Sequence, residues 1–316
     1  MSIMYLAKIN LTSGIFDVYD SKLRIDDVLK LIYDELDEQK KYSSTSNSKY
    51  RDSMGNVKKF RQASTYQLKE LEKSDDLLIT GKMVRNFRKP TERIADSGRL
   101  EPTYNEENVS IYFYFDVKNE LIAFSERQSF GYNQFTTAFN FLLNQNSKGY
   151  RFEIFLQKDN AVLQEKIKNL KSIQTIKATL IPPNSNEEDL IEFRNSLQYI
   201  QDCKNTNANK MRVEMSVDNC ESSLKMESKY MQDIFKAVSR GYGDITTYGT
   251  NQAGRRQIVS SNQDAAYTKV VDENLGKYEY NEEARSFIIG FVGKLIRGII
   301  PVSYTHLRAH ETLANL

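Results

Sequence analysis

Apolar residues along this chain come in short alternating bursts, with few long helical stripes. Ile3 to Leu11 alternates enough to predict a first strand, and Gly14 to Tyr19 its hairpin partner. Ile25 to Tyr42 carries Val28, Leu29, Ile32, Tyr33 and Leu36 at spacings of three and four, which predicts a helix. Asp26 and Asp27 suit its N-terminal end, and Lys40 and Lys41 its C-terminal end. Ser43 to Ser48 reads as a polar loop, and Val57 to Phe87 as two or three strands with charged interruptions. Lys89 to Asn108, holding Pro90, Gly98 and Pro102, reads as a long loop. Val109 to Phe115 is a strong strand that turns at Asp116–Asn119 into a second, Leu121 to Phe124. Asn133 to Asn144 predicts a helix.

From there the pattern becomes regular. Strand Tyr150–Leu156 precedes helix Ala161–Leu170, and strand Ile173–Ile181 stops at Pro182-Pro183. A helix opens at Asn184-Ser-Asn-Glu-Glu-Asp, with Ser185 or Asn186 able to cap it and acids in its first turn, and runs to about Asp202. Strand Lys210–Ser216, helix Leu224–Val238 and strand Asp244–Tyr248 complete a βαβαβαβ run; Gln257–Ser260 and Tyr267–Val271 add two strands. The fold class that follows is α/β or α+β, a mixed sheet with helices packed on it. Two regions are expected: residues 1–146, α+β, and 147–300, α/β, which can also be one continuous domain.

Residues 302–316, Val302-Ser-Tyr-Thr-His-Leu-Arg-Ala-His-Glu-Thr312 and the four that follow, resemble the conceptual translation of a sequencing adapter. Such a tail is excluded from fold reasoning, and the natural C-terminus is expected beyond about Ile300. The exclusion removes His306 and His310, the only two histidines, and leaves the net charge at +2 because Arg308 and Glu311 cancel. So near-neutral a balance gives no global pull toward nucleic acid or membrane. The most apolar stretch, Ser286 to Ile300, is short for a span and carries Lys294 and Arg297, so it reads as a buried element. Cys203 and Cys220 fit no zinc spacing, and without a signal peptide they read as reduced thiols of a cytoplasmic protein. The richness in Asn, Lys, Ile and Tyr suggests an AT-rich bacterial or phage genome.

A chain without histidine lacks the imidazole base of Ser-His-Asp and Cys-His sites and the histidine ligands of zinc hydrolases. Gly81-Lys82 is followed by Met83 and is not a P-loop; Gly241-Tyr-Gly243 lacks the third glycine of a dinucleotide fingerprint. No cofactor is called for.

Three features stay open. Lys82-Met-Val-Arg85-Asn-Phe87-Arg88-Lys89-Pro-Thr-Glu-Arg93 holds five cations and one acid, just downstream of Lys58, Lys59 and Arg61. Cations interleaved with an aromatic can meet phosphates and stack a base; a solvated loop paired with Glu101, Glu106, Glu107, Asp116 and Glu120 is the plainer alternative. Asp116, Glu153 and Glu214 lie at or within strands and can hold magnesium for phosphodiester cleavage, or can be ordinary polar strand positions. The glycine turns between Arg240 and Arg256 can present Arg240, Arg255 and Arg256 as an anion-binding rim, or form a hairpin with Gly254 in the turn.

The order Ile111-Tyr-Phe-Tyr-Phe-Asp116, Leu121-Ile-Ala-Phe-Ser-Glu126, Leu180-Ile-Pro-Pro-Asn184 and Ala237-Val-Ser-Arg-Gly-Tyr-Gly243, with Gly254, resembles the layout of a prokaryotic family known only as a domain of unknown function. The resemblance covers most of residues 1–270 and carries no residue role. It implies a mobile-element or phage-defence setting, an associational warrant. The leading expectation is therefore an accessory or binding protein, non-enzymatic, whose partner is a nucleic acid or another protein and not a membrane. Lys82, Arg85, Phe87, Arg88, Lys89, Arg255 and Arg256 are the expected nucleic-acid contacts. The alternatives are a magnesium-dependent nuclease using Asp116, Glu153 and Glu214, and a structural subunit of a complex.

Overall fold

The computed structural model describes every residue except 53, 99, 146–147, 185–196, 219–221 and 297–316. The adapter-like tail with both histidines, Cys220 and the start of the helix predicted from residue 185 lie outside the described residues.

Strand β1 (Ser2–Leu11) organises the larger of two sheets. One of its edges pairs with β6 (Leu121–Ser125). The other edge is shared end to end by β12 (Thr268–Val271), against Ser2–Tyr5, and β7 (Phe152–Leu156), against Ala7–Leu11. Beyond β6 follow β5 (Leu100–Asp116), β4 (Leu78–Ile94), β3 (Val57–Ser74) and β2 (Lys41–Arg51). β1 is buried from Met4 onward because both faces of the sheet are covered. Alternate side chains point to opposite faces. Tyr5, Ala7, Ile9 and Leu11 join Phe113, Phe124, Phe135 and Phe139 beneath helices α2 (Ile25–Glu35) and α3 (Tyr132–Leu143). Met4 and Leu6 meet Ala284, Phe287, Ile288 and Phe291 of the last helix, α8 (Lys277–Ile296). Of the apolar C-terminal stretch, Phe287, Ile288 and Phe291 are buried while Ile289 is exposed, and residues 297–300 lie outside the described residues; among the described residues no helix is long and apolar enough to cross a membrane.

The smaller sheet centres on β8 (Leu170–Leu180), flanked by β9 (Met211–Ser216) and β10 (Gly243–Asn251), with β11 (Arg256–Ser260) outside β10. Its core joins Ile176, Leu180 and Ile245 to Leu163 and Ile167 of α4 (Asn160–Lys168), Tyr199 and Cys203 of α5 (Gln198–Thr206), and Ile234 and Val238 of α6 (Lys229–Ser239). Gly241 (φ +80°) ends α6 in the left-handed conformation, with the Tyr242 amide returning to the Ala237 carbonyl. Two residues on, a Cβ at Gly243 would stand 2.1 Å from the Thr179 carbonyl oxygen, so β10 approaches β8 there only as glycine. A single-turn helix, α7 (Ser261–Asp264), leads from β11 toward β12.

The class is α+β. The expected alternation of strand and helix from residue 150 is present in order, but β7 joins the large sheet while β8, β9 and β10 build the small one. Every pairing between described strands is antiparallel, not mixed.

Three local expectations are corrected. Gly14–Tyr19 is not a strand: Gly14 (φ +73°) turns the chain into α1 (Ile15–Tyr19), whose Ile15 and Val18 are buried at helical spacing. The place of a hairpin partner is taken by the segment leading into β7, where the Arg151 carbonyl accepts the Thr12 amide at 2.8 Å. The helix from Ile25 stops at Glu35, because the Asp37 carboxylate captures the Gln39 and Lys40 amides and Lys40 Nζ takes the Glu35 carbonyl at 2.7 Å. Residues 43–48 and 89–108 are not loops but the outer parts of long strands, paired to Arg51↔Val57 and to Ile94↔Leu100. Pro90 and Pro102 are tolerated because each strand of a two-stranded ribbon keeps one unpaired edge.

Candidate functional site

Pairing between β3 and β4 ends at Ser64↔Phe87. Beyond that rung β2–β3 and β4–β5 continue as two separate ribbons, linked near their base by Gln62 Nε2 donating to the Arg88 carbonyl at 3.3 Å.

Cross-strand partners share a face of a ribbon. In the first ribbon Lys49 stands opposite Lys59, Arg51 opposite Val57 and Asn47 opposite Arg61. Lys49, Arg51, Lys59 and Arg61 therefore form one face; all four are exposed, and among the described residues none has a carboxylate within 4 Å. The opposite face carries Tyr50, Lys58 and Phe60. Phe60 meets Tyr50 edge-on at 5.9 Å and lies 6.4 Å from Tyr104 of the second ribbon. The single acid between Lys49 and Arg61, Asp52, is held in the turn: it accepts the Met54 and Asn56 amides at 3.1 and 2.8 Å and pairs with Lys58 at 3.3 Å.

The second ribbon neutralises itself. Arg88 meets Glu106 at 3.5 Å, Lys89 meets Glu107 at 3.2 Å, and Arg93 stands opposite Glu101. This is the pairing of the basic run with the acidic stretch that the sequence allows. Nearer the core, Arg85 and Phe87 are buried and form no exposed surface. The Arg85 guanidinium donates to Ser64 Oγ at 3.0 Å, to Gln62 Oε1 at 3.3 Å and to the Ser129 carbonyl, and it stacks 4.2 Å over the Phe87 ring; burial lowers its pKa. Lys82 pairs with Glu70 at 2.8 Å above the Tyr112 ring, and the bond to Glu70 raises its pKa. Arg255 and Arg256 are exposed at the β10–β11 hairpin of the other sheet, where Asn251 Oδ1 accepts the Ala253 and Arg255 amides and Gly254 (φ +74°) makes the turn. Arg240 is the C-cap of α6, half-buried, with its pKa lowered by burial. The seven expected contacts are thus divided between an interior, a self-paired ribbon and a separate hairpin.

The three carboxylates are not brought together either. Asp116 closes the β5–β6 turn by accepting the Asn119 amide at 3.0 Å and its side-chain Nδ2 at 2.6 Å; burial raises its pKa. Glu153 pairs with Lys210, and Glu214, on the other sheet, with Lys177 at 2.9 Å. Among the described residues no group of three or more Asp, Glu, His or Cys is placed to hold a metal.

Sequence reading missed the polar cluster that joins the two sheets. Lys8 and Glu120, both buried, pair at 3.1 Å, and Lys8 Nζ lies 5.2 Å from the Tyr242 ring centroid. Burial works against the Lys8 charge, but Tyr242 and Glu120 outweigh it and raise its pKa. Asn184 donates to Glu120 Oε1 at 3.0 Å and to the Ile9 carbonyl at 3.2 Å, and Asn10 to the Gly241 carbonyl at 3.1 Å. Close to this seam Lys158, fully buried, donates to the Leu156 carbonyl at 2.7 Å and to Asn262; burial lowers its pKa to about 7 against the opposing pull of Asp244. On the small-sheet side the seam uses Asn184, Gly241 and Tyr242, which lie in the Leu180–Asn184 and Ala237–Gly243 segments of the family resemblance, and these meet Lys8, Asn10 and Glu120 on the side of the large sheet.

A family model described as Domain of unknown function (DUF4747) matches residues 35–286, a span that includes both ribbons and most of the seam. No curated protein matches the chain.

Proposed function

This chain belongs to the DUF4747 family, and from its β2–β3 ribbon we propose that it is a nucleic-acid-binding protein that grips phosphates with Lys49, Arg51, Lys59 and Arg61. One observation carries the reading. Of two adjacent ribbons, one pairs its cations with acids across the strands, while the other sets Lys49 directly against Lys59 with no acid on that face. Like charges directly opposite destabilise a sheet pair, so the arrangement is unfavourable until an anionic partner neutralises it. Successive same-face residues advance about 6.7 Å along a strand, close to the axial separation of every second phosphate on one DNA strand. A two-stranded ribbon is also of a width that the major groove admits. Arg88 and Lys89, held by their own glutamates, are secondary contacts in this reading, and Arg85 and Phe87 support the ribbon base.

The test is fluorescence anisotropy with labelled single- and double-stranded oligonucleotides over a salt series. Four phosphate contacts on duplex DNA give a slope of log affinity against log salt of about −3.6, a loss of roughly 150-fold between 50 and 200 mM salt. Lys59→Ala with Arg61→Ala should flatten that slope by about 1.8. An unchanged slope and affinity in the double variant refutes the assignment to this ribbon; no binding at low salt refutes nucleic-acid binding altogether.

A further inference from the structure

We propose, resting on the phosphate-gripping reading above, that the apolar tips of the two ribbons are wedges that enter base steps of duplex DNA and bend it. From the last shared rung, Ser64↔Phe87, the first ribbon runs out to Val57 and the second to Ile94, seven residues in each case. At about 3.3 Å per residue both tips stand about 23 Å beyond that rung, so the two prongs have equal reach. Each ends in exposed apolar side chains that have no core to join. Met54 is 84% exposed, and Val57 is exposed beside it. At the other tip Ile94, 75% exposed, faces Leu100 directly across the ribbon.

At the first tip the Met54 amide donates to Asp52 Oδ1 at 3.1 Å and Gly55 (φ +82°) makes the turn; at the second the Gly98 amide donates to the Ala95 carbonyl at 2.8 Å. Exposed apolar groups at the end of the cationic ribbon, with a second apolar pair at the end of its self-paired neighbour, match the chemistry of side chains that unstack a base step while neighbouring cations hold the phosphates. Duplex DNA is the occupant the charges favour. The four cations run along the length of the first ribbon, as a phosphate backbone does, whereas insertion into an anionic membrane would place them in a ring at the tip. B-form DNA also offers the wide major groove that A-form RNA lacks.

The experiment uses the full chain and an end-labelled duplex of about 30 base pairs, far shorter than the roughly 150-base-pair persistence length, with energy transfer between the ends as the readout. The wild type should bring the ends together by a bend within about 20–90°. The triple variant Met54→Ser, Ile94→Ser, Leu100→Ser touches no core residue; it should keep the salt slope of binding and lose the bend. Salt-dependent binding without any change in transfer overturns the wedges and leaves the phosphate-gripping ribbon standing, as does a triple variant that bends like the wild type. No duplex binding overturns both. Binding to phosphatidylserine vesicles that the triple variant loses, in a protein that leaves duplex straight, overturns the inference in favour of a membrane-inserting tip.

Discussion

Lys158 gives the sharpest quantitative expectation. Its amine is fully buried and has two oxygen partners, the Leu156 carbonyl and Asn262, and among the described residues no carboxylate forms an ion pair with it. Burial drops its pKa from 10.5 to about 7. The unfolded chain therefore binds one more proton than the folded chain between about pH 7 and 10.5, and stability rises with pH across that window. Each tenfold change in proton affinity is worth about 1.4 kcal/mol, so the full effect, below pH 7 relative to above 10.5, is about 5 kcal/mol. Between pH 6 and pH 9 the wild type should gain about 3 kcal/mol relative to Lys158→Met, which has no proton to lose. Urea denaturation of both proteins at the two pH values reads this directly: with m near 3 kcal/mol/M, the difference in midpoints shifts by about 1 M. Comparing the two chains cancels every other titrating group. A difference that stays constant across the range refutes the reasoning, since Nζ would then be charged and well solvated in the folded state.

Two further expectations concern the seam and the small sheet. Glu120→Ala leaves Lys8 buried without its carboxylate and should cost about 3–5 kcal/mol in denaturant unfolding, whereas Lys177→Ala, which opens the exposed pair with Glu214, should leave the denaturation midpoint nearly unchanged. Gly243→Ala drives a Cβ into the Thr179 carbonyl and should lose about 3 kcal/mol or more, read as a lowered denaturation midpoint with β8 amides exchanging faster.

The buried parts of the fold were legible in the sequence where burial imposes a period. β1, β6, α3, β7, β8 and β9 stand close to where their apolar patterns put them, because each must bury one or both faces. The outer ribbons were not, since residues 43–51 and 89–108 bury almost nothing and so carry no apolar alternation. What specifies them is turn chemistry, Asp52 with Gly55 at one tip and Gly98 at the other, together with cross-strand charge pairs visible only once the register is known. For the same reason the basic run from Lys82 looked like the surface: strand alternation turns Arg85 and Phe87 inward, and the facing strand supplies the acids for Arg88 and Lys89. Five cations against one acid between Lys49 and Arg61 could have been counted, but a residue count does not place four of them on one face. The Lys8–Glu120 pair joins residues far apart in the chain, and no local pattern announces it.

The shared edge of β1 has a consequence for the order in which the protein takes shape. Among the described strands β1 comes first in the sequence, and its second edge is completed by residues 152–156 and by residues 268–271. At roughly 5–20 residues per second, β1 waits on the order of 15–50 s of synthesis for β12. During that interval the Ser2–Tyr5 part of that edge stays open, the kind of template on which nascent chains cross-pair. Closure comes only when β12 docks on Ser2–Tyr5. Nascent chains that stop before residue 268 therefore leave the Ser2–Tyr5 edge of β1 open to cross-pairing.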